Sequence, residues 1–296
     1  MSTAIAQVRQ HPALTAVGAL LLAVLAYAVL HAAIQTEGAR AAVMNGALAS
    51  LLTGLATGAG ALPVLWMRRP AQAVEDGLLG FAAGVMLAAT SFSLLLPALE
   101  HGALRFGGQT AAAFLVAAGL ALGAAALWAA ERATPHVHAT QLLAGGAKAA
   151  RVRQVWLFVL AIALHNLPEG LAVGVAYGAG EDGARSVALG IGIQNMPEGL
   201  AVALALTAAG YSRRLGFGVA LLSGLAEPLA GLAGAALVSV MQTALPLALA
   251  FAAGAMLFVI SHEIIPESHR SGHHQAATGG LMAGFIIMLL LDTTLG

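Results

Sequence analysis

The sequence predicts an all-α protein, a polytopic membrane bundle built from helices. Of its 296 residues, 59% are apolar and only 9% are charged, and the mean hydropathy is +0.87. A soluble fold would leave too much of that apolar surface uncovered. The apolar residues also fall into runs of roughly 20 residues, the length that crosses about 30 Å of hydrocarbon as a helix. The lipid bilayer is therefore the first partner that the sequence implies.

The first apolar run, at 13–33, is predicted to be a transmembrane helix, with a cleaved signal peptide as the alternative. Its apolar part exceeds the ~7 to 15 residues usual in signal peptides, which favours a retained helix. We therefore expect an N-terminal peripheral helix within 1–36 and a core of eight transmembrane helices within 37–296. The core spans are predicted at 40–66, 76–99, 110–131, 153–178, 184–209, 213–240, 245–268 and 274–294.

Basic residues set the predicted orientation, because cytoplasmic loops carry an excess of Lys and Arg. With the N-terminus in the cytoplasm, nine spans place the C-terminus in the periplasm. The inner membrane is the expected location. The longest connection, 132–152, is then cytoplasmic and is predicted to be a flexible loop. The basic residues on the inside are Arg9, Arg68, Arg69, Arg132, Lys148, Arg151, Arg153, Arg213, Arg214 and Arg270, and those on the outside are Arg40, Arg105 and Arg185.

Composition excludes several functions. The formal net charge is zero and no basic run could track phosphates, so nucleic acid is not an expected partner. The chain has no cysteine, which excludes disulfides, thiolate metal sites and cysteine nucleophiles. Any bound metal must therefore be held by His, carboxylate, amide or Met side chains.

A short motif occurs twice, as HNLPEGLAV at 165–173 and QNMPEGLAV at 194–202. Each copy sets a neutral ligand four residues before a glutamate, a spacing that places both groups on one helix face. The copies lie on consecutive helices, which must run antiparallel. Each proline removes a helix hydrogen bond and frees the carbonyl of Leu164 or Ile193, which predicts a local kink lined with oxygen. Paired breaks of this kind are typical of binding sites in transporters.

Three glutamates fall near mid-membrane: Glu169, Glu198 and Glu227. Burying them without compensation would cost something like 8 to 10 kcal/mol, so a metal ion, protons or both must offset their charge. Zinc accepts imidazole nitrogen and carboxylate oxygen, and His165 supplies the imidazole. A borderline divalent metal therefore suits the set. The alternative is a protonated, hydrogen-bonded structural cluster.

Other polar groups have open roles in the sequence. The amides Asn166, Gln194 and Asn195 are either ligands or cross-links between helices. Met86 is either a soft thioether ligand or apolar filler. Four residues near the end of the eighth span predict an exit path for an ion, or else a solvated helix end. Two acidic residues on the opposite side predict an entrance. The exit residues are His262, Glu263, His269 and His273, and the entrance residues are Glu100 and Asp292.

These motifs resemble those of the ZIP (Zrt/Irt-like) divalent metal transporters, and most closely their bacterial GufA-like branch. The resemblance covers about residues 40–296 and rests on four ordered segments: 165–170, 194–199, 226–228 and 262–268. It implies an eight-helix ZIP core with 13–33 as an extra helix, and metal uptake toward the cytoplasm. It also implies an elevator-type carrier with no organic cofactor, for which zinc is the expected cargo and cadmium its mimic. Faces of small residues would also suit a homodimer.

The resemblance further implies a binuclear metal centre in which the glutamates bridge. It supports Glu100 and Asp292 as the entrance and His262, Glu263 and His273 as the exit. The first ion would bind near Met86, His165, Glu169, Gln194, Glu198 and Glu227, and the second near Asn166, Glu169, Asn195, Glu198 and Glu227.

Two positions depart from the family pattern: many relatives carry His in place of Gln194, and some bacterial relatives carry Asp in place of Asn195. With His165 neutral, three ionised glutamates leave a net charge of −1 around one dication and +1 around two. The neutral amides therefore weaken the balance at the second site.

Two other function classes compete with a metal transporter. A metal-dependent intramembrane hydrolase would also need His and carboxylates at depth. However, a helical zinc protease needs a second His three residues after the glutamate of the pair His262 and Glu263, and that position is Pro266. A proton-coupled carrier of a non-metal solute would also account for buried carboxylates, although not for their combination with His165. The sequence thus predicts a secondary metal transporter rather than an enzyme.

Overall fold

The computed structural model describes residue 31 and residues 35–133, 146–180 and 183–295, with side chains described except at 133 and 146–154. Within these ranges the chain forms α-helices and short helical turns, without strands. The helices are α1 Glu37–Ala61, α2 Gln72–Ala88, α3 Leu96–Phe106, α4 Gln109–Ala133, α5 Gly146–Ala179, α6 Ala184–Ala208, α7 Arg213–Gly224, α8 Glu227–Val240, α9 Leu245–Val259, α10 Ile265–His269 and α11 His274–Leu295.

Eight segments of the described chain are long and apolar enough to cross a membrane, which confirms the predicted bundle of transmembrane helices. Four of the segments correspond to the single helices α1, α4, α6 and α11. A fifth segment is the part of α5 from Val155 onward. The other three are composite: α2 with α3, α7 with α8, and α9 with α10. The predicted first span at 13–33 lies outside the described residues, apart from residue 31.

The predicted loop at 132–152 is wrong at both ends. Helix α4 continues to Ala133, and α5 already begins at Gly146, seven residues before the predicted span. The segment 146–150 reads Gly-Ala-Lys-Ala-Ala, and Ala and Lys are strong helix formers, so the helix extends beyond its apolar part. Residues 134–145 of that loop lie outside the described chain.

Two composite spans contain a wide helical turn of π geometry, at Ala89–Leu95 and Ile260–Ile264. A proline follows each one at the second residue of the next helix, Pro97 and Pro266. Proline has no N–H and clashes with the carbonyl four residues earlier, so the preceding turn widens. The second wide turn contains His262 and Glu263, two residues of the predicted exit.

The prolines of the repeated motif do not interrupt their helices. Helix α5 runs through Pro168 and α6 runs through Pro197, contrary to the predicted pair of broken helices. A proline within a membrane helix is tolerated where neighbouring helices cover the freed carbonyl. The break among these helices occurs instead at Leu225 and Ala226, between α7 and α8. Glu227 is the first residue of α8.

The helices pack as two groups. In the first, which we call the site group, α1 packs along α6 and α8, and α5 packs along α8. In the second, the frame group, α2 packs along α11 and α4 packs along α9. The site group contains α1, α5, α6, α7 and α8, and the frame group contains α2, α3, α4, α9, α10 and α11. Contacts between the groups are made chiefly by α6 with α2 and by α5 with α9.

Glycines bring the backbones together within each group. A Cβ at Gly174 would collide with the Gly231 carbonyl, and one at Gly199 with the Thr57 carbonyl, both in the site group. In the frame group, a Cβ at Gly84 would collide with the Leu281 carbonyl. Where the groups meet, Gly190 faces a side chain instead, the thioether of Met288. Small residues permit close packing of membrane helices, so each group is tightly joined internally.

We predict that Gly174→Ala destabilises the protein, since the added methyl group must displace α8. Overpacking costs about 1 to 3 kcal/mol, which exceeds the ~1 kcal/mol that alanine gains in a helix. The measurement is the thermal unfolding midpoint of the purified protein in detergent. Gly218→Ala is the matched control, because a Cβ there meets no atom within 4 Å. Equal midpoints for Gly174→Ala and the parent protein would contradict this packing.

Candidate metal site

The two motif copies and Glu227 meet inside the site group. Their polar side chains are all buried, with exposures of 3% or less. On α5, the four-residue spacing brings His165 and Glu169 to one face, and α6 repeats this with Gln194 and Glu198. Gly170 lies so close to the backbone of Glu227 that it has no room for a Cβ. The glycine of the motif thus brings Glu169 and Glu227 together. The residues of the set are His165, Asn166, Glu169, Gln194, Asn195, Glu198 and Glu227.

Hydrogen bonds link the helices of this centre. The Gln194 side-chain amide donates to Glu169 Oε1, which joins the two motif copies. The Asn195 amide donates to Glu227 Oε1 at 2.7 Å and to the backbone carbonyl of Thr53 at 2.9 Å. The Thr53 hydroxyl lies 2.5 Å from Glu227 Oε2. Both oxygens of Glu227 are therefore held by neighbouring helices.

Many polar atoms of the centre have no protein partner. The buried atoms without a hydrogen bond include Asn166 Oδ1, Glu169 Oε2, Gln194 Oε1 and Asn195 Oδ1, both carboxylate oxygens of Glu198, and His165 Nδ1. Leaving one buried polar group unsatisfied costs about 1 to 3 kcal/mol. A cluster of such atoms needs an outside partner. Nearly all of them can donate a lone pair, and a cation accepts lone pairs.

The donor set fits a borderline divalent cation. Carboxylate oxygen and imidazole nitrogen are both zinc ligands. Within the described part of the chain, no three His, Asp or Glu side chains are already gathered closely enough to ligate one ion. Gln194 nevertheless joins Glu169 to the helix that carries Glu198, and Gly170 lies against the backbone of Glu227. The unpartnered amide oxygens of Asn166, Gln194 and Asn195 could complete such a donor set.

Met86 lies on α2, in the frame group, and is fully buried in the main apolar cluster. Its backbone carbonyl accepts a hydrogen bond from Thr90. It is thus the one predicted ligand of the centre that belongs to the other helix group.

A cavity of about 520 Å³ leads from His165 to the end of the bundle that carries Arg69 and Arg270. Each of these arginines is paired with a glutamate, Arg69 with Glu75 and Arg270 with Glu267. The remaining acids that line the cavity are Asp76, Glu131 and Glu263. Its lining is therefore net acidic, which favours cations.

Each of those three acids pairs with a histidine. Glu263 lies 3.2 Å from His165 Nε2 and connects the buried centre with the cavity. His262 pairs with Glu131 at 3.2 Å, and His273 pairs with Asp76 at 2.9 Å. These pairs lead from the centre to the bundle end.

Of the four predicted exit residues, Glu263 lines the cavity directly. His262 and His273 contact it through their acidic partners. His269 is engaged elsewhere, because its ring nitrogens lie within hydrogen-bonding distance of Ile265 O and Thr278 Oγ1.

The opposite end of the bundle is tied together at Asp292. Ser93 donates to Asp292 Oδ1 at 2.6 Å, and Ser186 Oγ lies 3.1 Å from the same oxygen. These contacts join α11 both to the wide turn after α2 and to α6. The other predicted entrance residue, Glu100, is exposed on α3.

Sequence reasoning missed Thr53, Asp76 and Glu131. A signal for Thr53 was present, because Ser50, Thr53 and Thr57 share one face of a largely apolar helix. Asp76 and Glu131 lie at the ends of apolar runs, where a charged residue is ordinary and predicts nothing specific. Their pairing with His273 and His262 depends on tertiary structure.

The fold and the buried centre together define a class of protein: a polytopic helical membrane protein with buried polar groups that suit a cation. A profile described as ZIP Zinc transporter matches residues 129–292. The chain therefore belongs to the ZIP family. Because its relatives are transporters, it is a metal ion transporter and not the hydrolase considered above.

Three curated relatives illustrate the similarity. The chain is 47% identical over 252 residues to Zinc transporter GufA of Myxococcus xanthus, covering 85% of this chain and 99% of that protein. It is 45% identical over 261 residues to Zinc transporter ZIPB of Bordetella bronchiseptica, covering 86% and 81%. It is 36% identical over 335 residues to Zinc transporter ZIP11 of Homo sapiens, covering 86% and 98%.

We predict that Asn195→Asp destabilises the zinc-free protein by about 2 kcal/mol, since a carboxylate would then face the Thr53 carbonyl and Glu227. Zinc should recover this loss by adding positive charge. The measurement is thermal unfolding with and without zinc. Gln109→Glu is the matched control, because it makes the same amide-to-carboxylate change at an exposed residue that begins α4. A zinc-free midpoint equal to that of the parent protein would contradict the described hydrogen bonds.

Proposed function

We propose that the protein transports divalent transition metal ions, with zinc as the principal cargo and cadmium as its mimic, through the buried centre of the site group. The observation that carries this proposal is the cluster of buried, unpartnered lone-pair donors on α5 and α6. Protonated carboxylates alone would leave the amide oxygens without a role. The curated relatives named above are zinc transporters, which supports the same cargo.

The centre is proposed to bind two ions, bridged by glutamates. The first ion would use His165, Glu169, Gln194, Glu198 and Glu227, with the thioether of Met86 from the frame group. The second would use Asn166, Glu169, Asn195, Glu198 and Glu227. Three carboxylates leave +1 around two dications, so the second ion is expected to bind more weakly.

The proposed direction is uptake, from an entrance at Glu100 and Asp292 to an exit at the acidic cavity. Two observations support the positions of these two ends. The cavity reaches His165 from the bundle end where the basic residues cluster, and cytoplasmic ends are rich in Lys and Arg. The opposite end is closed around Asp292 by Ser93 and Ser186. A location in the inner membrane, a cytoplasmic N-terminus and a homodimer stay predictions.

The proposed mechanism is an elevator, in which the site group slides against the frame group and carries the ions. All the proposed ligands except Met86 lie in the site group. Among the described glycines, those in contact with a facing backbone lie within one group, whereas Gly190, between the groups, faces the Met288 side chain. Two helix groups whose backbones do not interlock can slide past one another more easily than groups whose backbones do. Alternating access requires a motion between two states, which this sliding would supply.

We predict that the purified protein carries zinc into liposomes loaded with a zinc-sensitive dye. His165→Ala, Glu169→Ala and Glu198→Gln should lower uptake to the level of empty liposomes. The first two variants remove a proposed ligand, and the third removes a negative charge that a dication needs. Comparison at two pH values shows whether protons accompany the metal. The matched control is Glu37→Gln, which changes an exposed carboxylate at the start of α1.

Retained uptake by Glu198→Gln would contradict the proposed site. If liposomes with the parent protein match empty ones while the purified protein still binds zinc, the metal is structural and the proposed function is wrong.

A cross-link between the groups should stop transport if the site group moves. The chain has no native cysteine, so paired cysteines can be added without a background. We predict that oxidised Gly190→Cys/Met288→Cys loses uptake and that a reductant restores it, because the pair joins α6 to α11. The control is Val43→Cys/Ala235→Cys, a pair within one apolar cluster of the site group. Full uptake by the cross-linked first pair would contradict the elevator.

A further inference from the structure

Thr53, in the middle of α1, contacts two residues of the proposed second ion set. We propose that Thr53 is a positioning residue, which fixes Glu227 and Asn195 and thereby sets how tightly the centre binds its cargo. This inference rests on the proposed function, and it adds a helix to the site that neither motif copy contains.

The Thr53 hydroxyl has one proton and two acceptors within reach. The Ser50 carbonyl lies at 3.0 Å, and Glu227 Oε2 lies at 2.5 Å. The shorter contact is with the carboxylate, and hydrogen bonds to charged groups are the stronger ones. The hydroxyl therefore holds Oε2 while the Asn195 amide holds Oε1. With both oxygens held, the carboxylate of Glu227 has a fixed plane.

The backbone of Thr53 sets the orientation of Asn195. A carbonyl oxygen only accepts hydrogen bonds, so the Asn195 atom that faces it at 2.9 Å must be the amide nitrogen. The two protons of that nitrogen are then used by Thr53 and Glu227. Asn195 Oδ1 has no partner in the protein, although it is buried. Thr53 thus leaves this oxygen available to a cation.

Helix packing places Thr53 at this position. A Cβ at Gly54 would collide with the Gly224 carbonyl, and one at Gly224 with the Gly54 carbonyl. Helix α1 therefore crosses the bundle in backbone contact with the end of α7. Glu227 begins α8 three residues after Gly224, across the break. Thr53 directly precedes Gly54 in α1, and its side chain consequently faces the carboxylate of Glu227.

A residue that orients a metal ligand without binding the metal affects affinity more than folding. Loss of such a partner typically lowers metal affinity or activity by about 10- to 100-fold. Thr53→Val removes the hydroxyl but keeps the shape of the side chain and the backbone carbonyl. Thr53→Ser restores a hydroxyl. One turn further along α1, Thr57 is equally buried, but its hydroxyl has no hydrogen-bond partner, which makes Thr57→Val a matched control.

The experiment compares the parent protein with these three variants. The first readout is the zinc dependence of uptake into liposomes. The second is the zinc-induced rise in the thermal midpoint of the purified protein, which reports binding without transport. We expect Thr53→Val to raise the KM for zinc about tenfold, with a smaller zinc-induced rise in the midpoint and little change in the maximal rate. Thr53→Ser and Thr57→Val should resemble the parent protein.

Each result decides the proposal. Equal KM values and equal zinc-induced shifts for Thr53→Val and Thr57→Val would overturn it, and so would a Thr53→Ser variant as defective as Thr53→Val. A zinc-free midpoint of Thr53→Val well below that of Thr57→Val, without rescue of zinc binding by Thr53→Ser, would assign a structural role instead. Absence of zinc transport by the parent protein would contradict the proposed function itself. The effect of Thr53→Val on the zinc-induced shift would still test the positioning role separately.

Discussion

Three carboxylates in the interior of a membrane bundle require compensation, and the rest of the structure follows from that requirement. Charge at this depth is costly because neither lipid nor apolar side chains solvate it. Neighbouring helices supply hydrogen-bond donors to two of these carboxylates: Thr53 and Asn195 to Glu227, and Gln194 to Glu169. Those donors reach the carboxylates because glycines let the helices touch at their backbones. The compensation is incomplete, since both oxygens of Glu198 stay without a partner, and this remainder is what suits the centre to a cation.

The proposed elevator motion rests on the division of the helices into two groups. Tight backbone contacts lie within each group, and looser side-chain contacts lie between them. Two polar contacts nevertheless cross the boundary, His165 with Glu263 near the cavity and Ser186 with Asp292 at the other end. A sliding motion would have to break both.

The neutral amides give the centre an intermediate character. In place of an extra imidazole or carboxylate, Gln194 and Asn195 provide both a donor and an acceptor. The donor end of each amide holds a glutamate, and the acceptor end has no protein partner, which leaves it free for the proposed ion. Hydrogen bonds thereby offset part of the cost of burying the glutamates without an ion, and the proposed ion would offset the rest. The same neutral amides add no negative charge that would favour the proposed second ion.

The amino-acid sequence by itself determined the class of the fold, the eight core spans and the polar residues of the centre. Those features depend on local apolar length and on spacing along single helices, which a linear pattern records. The sequence predicted breaks at Pro168 and Pro197, but both helices continue through these prolines because neighbouring helices pack against them. The observed break lies directly before α8. Only the tertiary structure decided that Thr53 holds Glu227, that Asp76 and Glu131 pair with histidines, and that Met86 belongs to the other group. These relations join residues far apart in the chain, and they depend on which helix faces touch, a property that no local pattern contains.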